Sequence, residues 1–231
     1  MSTSRKSLGT AFAIALAAGT VSVVAPTASA ATDGSNVVIN EVYGGGGNKG
    51  ATYTHDFVEL YNPTDAPIDL TDWTVTQRST SDTGNGSAVL SGSIPAKGYF
   101  LIQGDKGNGG TEPLPTPDAI GNGLTFGKNG AIARLIDSNG NVVDLVGWGG
   151  ATPSEGSPAG KTTNSESVQR REVGVDSDNN AKDFIVAEPT PQNSGNAGEV
   201  PVDPAPEDPA DPAPQPEQPQ PGEITPIAEI Q

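Results

Sequence analysis

The sequence has no cysteine and a single histidine, His55. Without thiols a domain has neither a disulfide staple nor a thiolate metal site and must rely on a packed core. One histidine leaves little for the common hydrolytic designs. A Ser-His-Asp arrangement needs an imidazole held between carboxylate and nucleophile, and metallohydrolases usually take more than one histidine. Neither G-x-S-x-G nor H-E-x-x-H occurs. Basic residues are also scarce: 12 Lys plus Arg stand against 28 Asp plus Glu, for a net charge of −16. Residues 31–198 hold 10 basic and 20 acidic residues, net −10. Arg170 and Arg171 form a local patch able to contact a few phosphates, but no basic face is evident, and nucleic acid is disfavoured as a partner. Beyond residue 30 there is no apolar run of membrane length and no window with apolar residues at helical spacing.

What the first thirty residues do contain is a secretory signal. Arg5 and Lys6 precede an apolar run from Leu8 to Val24, and "ASA" at Ala28–Ala30 sets small residues at the −3 and −1 positions of a signal-peptidase site. The run is too short and too broken, by Gly19 and Thr20, for a membrane anchor. Cleavage after Ala30 predicts a secreted, extracellular chain with no membrane attachment. That chain carries 10 basic against 28 acidic residues, net −18.

From Glu199 to Gln231 there are ten prolines, eight acidic residues and no Lys or Arg. Such a segment buries little apolar area and repels itself, so residues 199–222 are expected to be a disordered, extended spacer. Residues 223–231, with Ile224, Ile227 and Ile230, read like the start of a further domain that is missing.

Residues 36–195 carry the fold. Six segments of strand length, "VVINEVY", "DFVELYN", "WTVTQR", "GYFLIQ", "AIARLID" and "NVVDLVGW", recur between Gly- and Pro-rich turns. Asn139-Gly140 predicts a hairpin between the last two. Many short strands without helices predict an all-β, antiparallel β-sandwich. Trp73 and Trp148 lie within apolar strand segments and are expected in its core.

"NEVYGGGGNKGATYTHDF" places four glycines and Lys49 between the first two strands. A phosphate-binding loop would need G-x-x-x-x-G-K-[ST] and a following helix. Here Asn48 precedes Lys49, Gly50 follows it, and the next element is a strand. The expectation is a long, mobile connection, with His55 a polar residue at its edge. One acidic cluster, Asp176, Asp178, Asn180 and Asp183 in "VDSDNNAKDF", alternates oxygen ligands in a manner suited to calcium. Ala181 and Ala187, however, stand where an EF-hand has glycine and glutamate. A turn in which these side chains bond the backbone is the other reading. No carboxylate pair stands out, and no catalytic, cofactor-binding or metal-binding residue is assigned.

These segments, in this order, resemble the lamin tail domain, an immunoglobulin-like β-sandwich, over about residues 36–195. "VVINEVYGGGG", "FVELYN" and the closing "DSDNNAKDFIVAEPTPQNSG" carry the resemblance. The glycine-rich first loop is similar to the version at the N-terminus of secreted bacterial nucleases, ahead of an endonuclease/exonuclease/phosphatase domain. "ITPIAEIQ" looks like the beginning of the segment that follows the linker there. The resemblance implies nuclease ancestry without implying nuclease activity, and the expected protein is a secreted, non-catalytic, monomeric binding module, the accessory part of a nuclease architecture, whose partner is a protein or cell-surface component. It implies no cofactor. The alternatives are a truncated or split fragment of such a nuclease, or a DNA-binding module.

Overall fold

A computed structural model describes residues 32–196. The expected signal segment, the expected spacer at 199–222 and residues 223–231 lie outside the described residues. Twelve strands follow in order: β1 Val38–Tyr43, β2 His55–Tyr61, β3 Ile68–Asp69, β4 Thr74–Arg78, β5 Gly86–Val89, β6 Ser93–Ile94, β7 Tyr99–Lys106, β8 Ala119–Ile120, β9 Ile132–Ile136, β10 Val142–Gly147, β11 Ser167–Arg170 and β12 Phe184–Ala187. A single helical turn, α1 Asn180–Asp183, precedes β12, and a 3₁₀ turn, Ser194–Asn196, closes the described chain.

Two main sheets form, ordered β12-β11-β1-β2-β7-β8 and β10-β9-β4-β5, with β3 and β6 paired separately. All pairings between strands are antiparallel except β7 with β8. Ile39, Val42, Val58, Leu60, Phe100 and Ile102 of the larger sheet meet Val75, Ala133, Leu135, Val143 and Val146 of the smaller in one core. Trp73 and Trp148 both belong to it. The expected hairpin joins β9 and β10, with Gly140 at φ +86° and its N–H donating to Asp137 O at 3.0 Å.

The other face of the larger sheet is buried as well. Tyr43, Phe57 and Leu101 pack under Tyr53 and Leu114, while Val38, Tyr61 and Tyr99 pack with Val173. This explains why Tyr99–Ile102 on β7 is an unbroken apolar run, since strands covered on both faces need little polar alternation. Part of the cover is the segment 188–196, which crosses the strands. The backbone N–H groups of Thr190, Gln192 and Ser194 donate in turn to Glu41 on β1 (3.0 Å), Glu59 on β2 (2.6 Å) and Asp118 beside β8 (2.9 Å). Alternate residues of an extended segment point the same way, so one carboxylate can receive each.

Candidate functional site

The glycine loop is the first surprise. The expected mobile connection is instead packed against backbone on several sides. A Cβ added at Gly45 would lie 2.4 Å from Asn164 O, one at Gly46 would lie 2.0 Å from His55 C, and one at Gly47 would lie 2.2 Å from Gly107 Cα. Here glycine supplies close approach rather than freedom of movement. The loop is also bonded through its backbone. Gly47 N donates to Tyr53 O at 2.9 Å, Asn48 N to Gly45 O at 3.2 Å, and Gly109 N to Gly47 O at 2.6 Å. Asp56 closes the structure from below, its two carboxylate oxygens accepting Gly46 N (2.8 Å) and Phe126 N (2.7 Å). Burial pushes the Asp56 carboxyl up to about 8, against the opposing pull of those two hydrogen bonds.

Two loops thus lie side by side, residues 46–50 and 107–109, and their exposed edges form an open depression. Asn48, Lys49 and Asn108 are its exposed side chains. Asn164 buttresses it by donating Nδ2–H to Lys49 O at 2.9 Å, while Tyr43 Oη–H donates to Asn164 O at 2.5 Å. The second loop could have been found in the sequence, since "GDKGNGG" at 104–110 echoes "GGGGNKG" at 44–50. His55 is the first residue of β2, half-buried, with Nδ1 2.9 Å from Thr54 Oγ1. Burial lowers its pKa, with Lys106 adding to the effect, and none of its hydrogen bonds goes to a carboxylate.

A second cluster centres on Arg170. Arg170 and Arg171 do not form the expected surface patch: the Arg170 side chain is 0% exposed and only Arg171 faces solvent. Its Nε–H donates to Ile39 O at 2.8 Å, Nη1–H to Val175 O at 2.8 Å and to Asp176 Oδ1 at 3.3 Å, and Nη2–H to Asp144 Oδ2 at 2.8 Å. The guanidinium also sits 4.7 Å over the Phe184 ring. A planar fork with five donors suits this many fixed acceptors, which a lysine could not reach together.

The four residues Asp176, Asp178, Asn180 and Asp183 do not converge on one point. Asp183 accepts Ser177 N at 2.9 Å and Ser177 Oγ–H at 2.6 Å, and Asp176 Oδ1 accepts Asp178 N at 3.1 Å, as the turn reading expects. Asn180 turns inward. It accepts Gly147 N (2.8 Å) and Glu155 N (3.2 Å), and it donates to Leu145 O (2.9 Å) and Glu155 Oε2 (3.1 Å). The carboxylates that do gather are Asp144, Glu155 and Asp176, drawn from three separate stretches of chain. Burial, reinforced by the charges of Asp144 and Asp176, raises the Glu155 carboxyl to about 9.

A family model described as Lamin Tail Domain matches residues 30–150, more than half of the chain. No curated protein matches. Among solved structures, a DUF4876 family protein from Bacteroides thetaiotaomicron VPI-5482 is similar at 12% identity, over 73% of this chain and 75% of that one, with a TM-score of 0.49.

Proposed function

The chain belongs to the lamin tail domain family, and from that premise we propose that it is a secreted, non-catalytic recognition module that binds a protein or cell-surface component through the paired loops 46–50 and 107–109. The observation that carries this reading is the locking of one loop to the other, with Gly109 N on Gly47 O at 2.6 Å. Contact surfaces that are already ordered lose little conformational entropy on binding. Asn48, Lys49, Asn108 and the surrounding backbone groups offer donors and acceptors at fixed positions, and such polar, rigid loops on a β-sandwich are common recognition surfaces. The resemblance to N-terminal modules of secreted bacterial nucleases supports an accessory role, in which the module holds a partner or surface near a catalytic domain. The buried carboxylates support a binding role in another way, because those at the loops and under the 188–196 segment are spent on backbone N–H groups of the fold.

Retention on an immobilised cell-envelope fraction tests the proposal. Purified protein should be retained, and the double variant Lys49→Ala, Asn108→Ala should be lost from the fraction while its circular dichroism and melting midpoint stay unchanged. Equal retention of variant and wild type would place recognition elsewhere. Hydrolysis of DNA or phosphate esters by the purified protein, abolished by changing one acidic residue, would defeat the non-catalytic reading.

A further inference from the structure

Asp144 lies on β10, Glu155 in the loop that follows, and Asp176 in the turn before α1. One carboxylate oxygen of each lies within 4.8 Å of the other two. They are 0%, 6% and 5% exposed. Gathered acids alone would say little, but the oxygens left over by the hydrogen-bond network say more. Asp144 Oδ2 accepts Ile39 N at 2.6 Å and Arg170 Nη2–H, whereas its buried Oδ1 has no partner. Asp176 Oδ1 accepts Asp178 N and Arg170 Nη1–H, whereas its buried Oδ2 has none. Asp178 Oδ1 is buried and unpartnered too. A buried acceptor without a donor is a cost that native structures rarely carry, and here two belong to carboxylates of this one cluster.

The charges do not balance either. Among the described residues Arg170 is the one guanidinium in contact with the group, and Asp183 brings a fourth carboxylate, 3.8 Å from Nη1. Ionised, the four exceed it by three charges. A hard divalent cation answers the unpartnered oxygens, since it bonds to several at once, and it offsets two of the three excess charges. Calcium takes six to eight oxygen ligands at roughly 2.3–2.6 Å, so two ligands of one ion stand at most about 5 Å apart. The 4.8 Å bound on the three carboxylate oxygens fits that span. The donor set has no nitrogen or sulfur, which disfavours zinc and copper.

We propose that Asp144, Glu155 and Asp176 bind one calcium-class divalent cation that ties β10, the loop after it and the turn before α1 together. The ion holds the fold and leaves the paired loops, the recognition surface, untouched.

The purified protein, treated with chelator and desalted, should be titrated with calcium by calorimetry and by thermal melting in 0.15 M KCl, with magnesium in parallel. One calcium should bind per chain, and the midpoint should rise by about 5–10 °C at a hundredfold excess over Kd. Glu155→Gln keeps an oxygen for Leu145 N but removes a charge, and it should weaken Kd at least tenfold. If that variant does not fold, Asp176→Asn serves in its place, and equilibrium dialysis of the wild type against 1 mM calcium should give one ion per chain. No heat and no melting shift in the wild type would overturn the proposal. So would several weakly bound ions whose affinity Glu155→Gln leaves unchanged, since that is the behaviour of an acidic surface.

Discussion

Glu41 and Glu59 stand directly opposite each other on β1 and β2, 1% and 0% exposed, each accepting a backbone N–H from the segment that crosses the sheet. Like charges in such a pair repel, and among the described residues neither has a cation within 4.0 Å. Burial raises the Glu41 carboxyl to about 7 from 4.5, and raises Glu59 well above its ordinary value, with Glu41 adding to the effect.

A pH dependence follows, with a definite sign. Folding favours the protonated form of Glu41, so its contribution is complete below about pH 4.5 and is lost as pH rises through about 7. The shift corresponds to on the order of 3 kcal/mol. The wild type should melt lower at pH 8 than at pH 5. Glu41→Gln, neutral at every pH and still able to accept Thr190 N, should fall less over the same range. Parallel melting curves for the two proteins would show that Glu41 does not hold the proton.

Glycines in the first loop should separate by mechanism. At Gly46 a Cβ would sit 2.0 Å from His55 C and 2.2 Å from Asp56 N, which requires the backbone to part, so Gly46→Ala should cost about 3 kcal/mol or more. Gly50, at φ +80° with open space around it, meets only the left-handed backbone penalty, and Gly50→Ala should cost about 1 kcal/mol. Urea unfolding of both variants checks this. A mobile loop would tolerate either change about equally.

Asn180 is satisfied at all four of its hydrogen-bonding positions, so truncation leaves orphans in Gly147 N, Glu155 N and Leu145 O. Asn180→Ala should lose about 3 kcal/mol or more. Asn180→Asp keeps the shape but turns a donor into an acceptor beside Leu145 O and Glu155, and is expected to be as damaging at pH 7. Its deficit should shrink as pH falls, because a protonated Asp can donate. Denaturant midpoints measured at pH 7 and pH 5 distinguish the two variants.

The strands with the longest Val, Ile and Leu runs were legible because burial on both faces writes an apolar run into the sequence. Strands β5 "GSAV" and β11 "SVQR" were not, since each holds two apolar residues at most and gains its place from pairing, β5 with its neighbour β4 and β11 with the distant β1. The glycine loop was misread for a related reason. Four glycines describe a backbone without side chains, and whether that space is left open or filled by another backbone depends on Asn164 and Gly107, more than fifty residues away. Likewise "QRREV" gives no sign that Arg170 turns inward to meet Asp144, while Arg171 stays outside. The acidic run at 176–183 has the spacing of a ligand set, but Asn180 turns inward to Gly147, Leu145 and Glu155, and the gathered carboxylates come from positions 144, 155 and 176.

Amide hydrogen exchange at the paired loops tests the central claim, that two glycine loops form one rigid surface, most directly. Gly46, Gly47, Gly107 and Gly109 donate to Asp56 Oδ1, Tyr53 O, Thr54 O and Gly47 O. Their amides should be protected to an extent comparable with those in the centres of β2 and β7. Exchange at the rate of an unstructured chain would contradict the account, and would return residues 44–55 to a flexible connection with no preformed surface to offer.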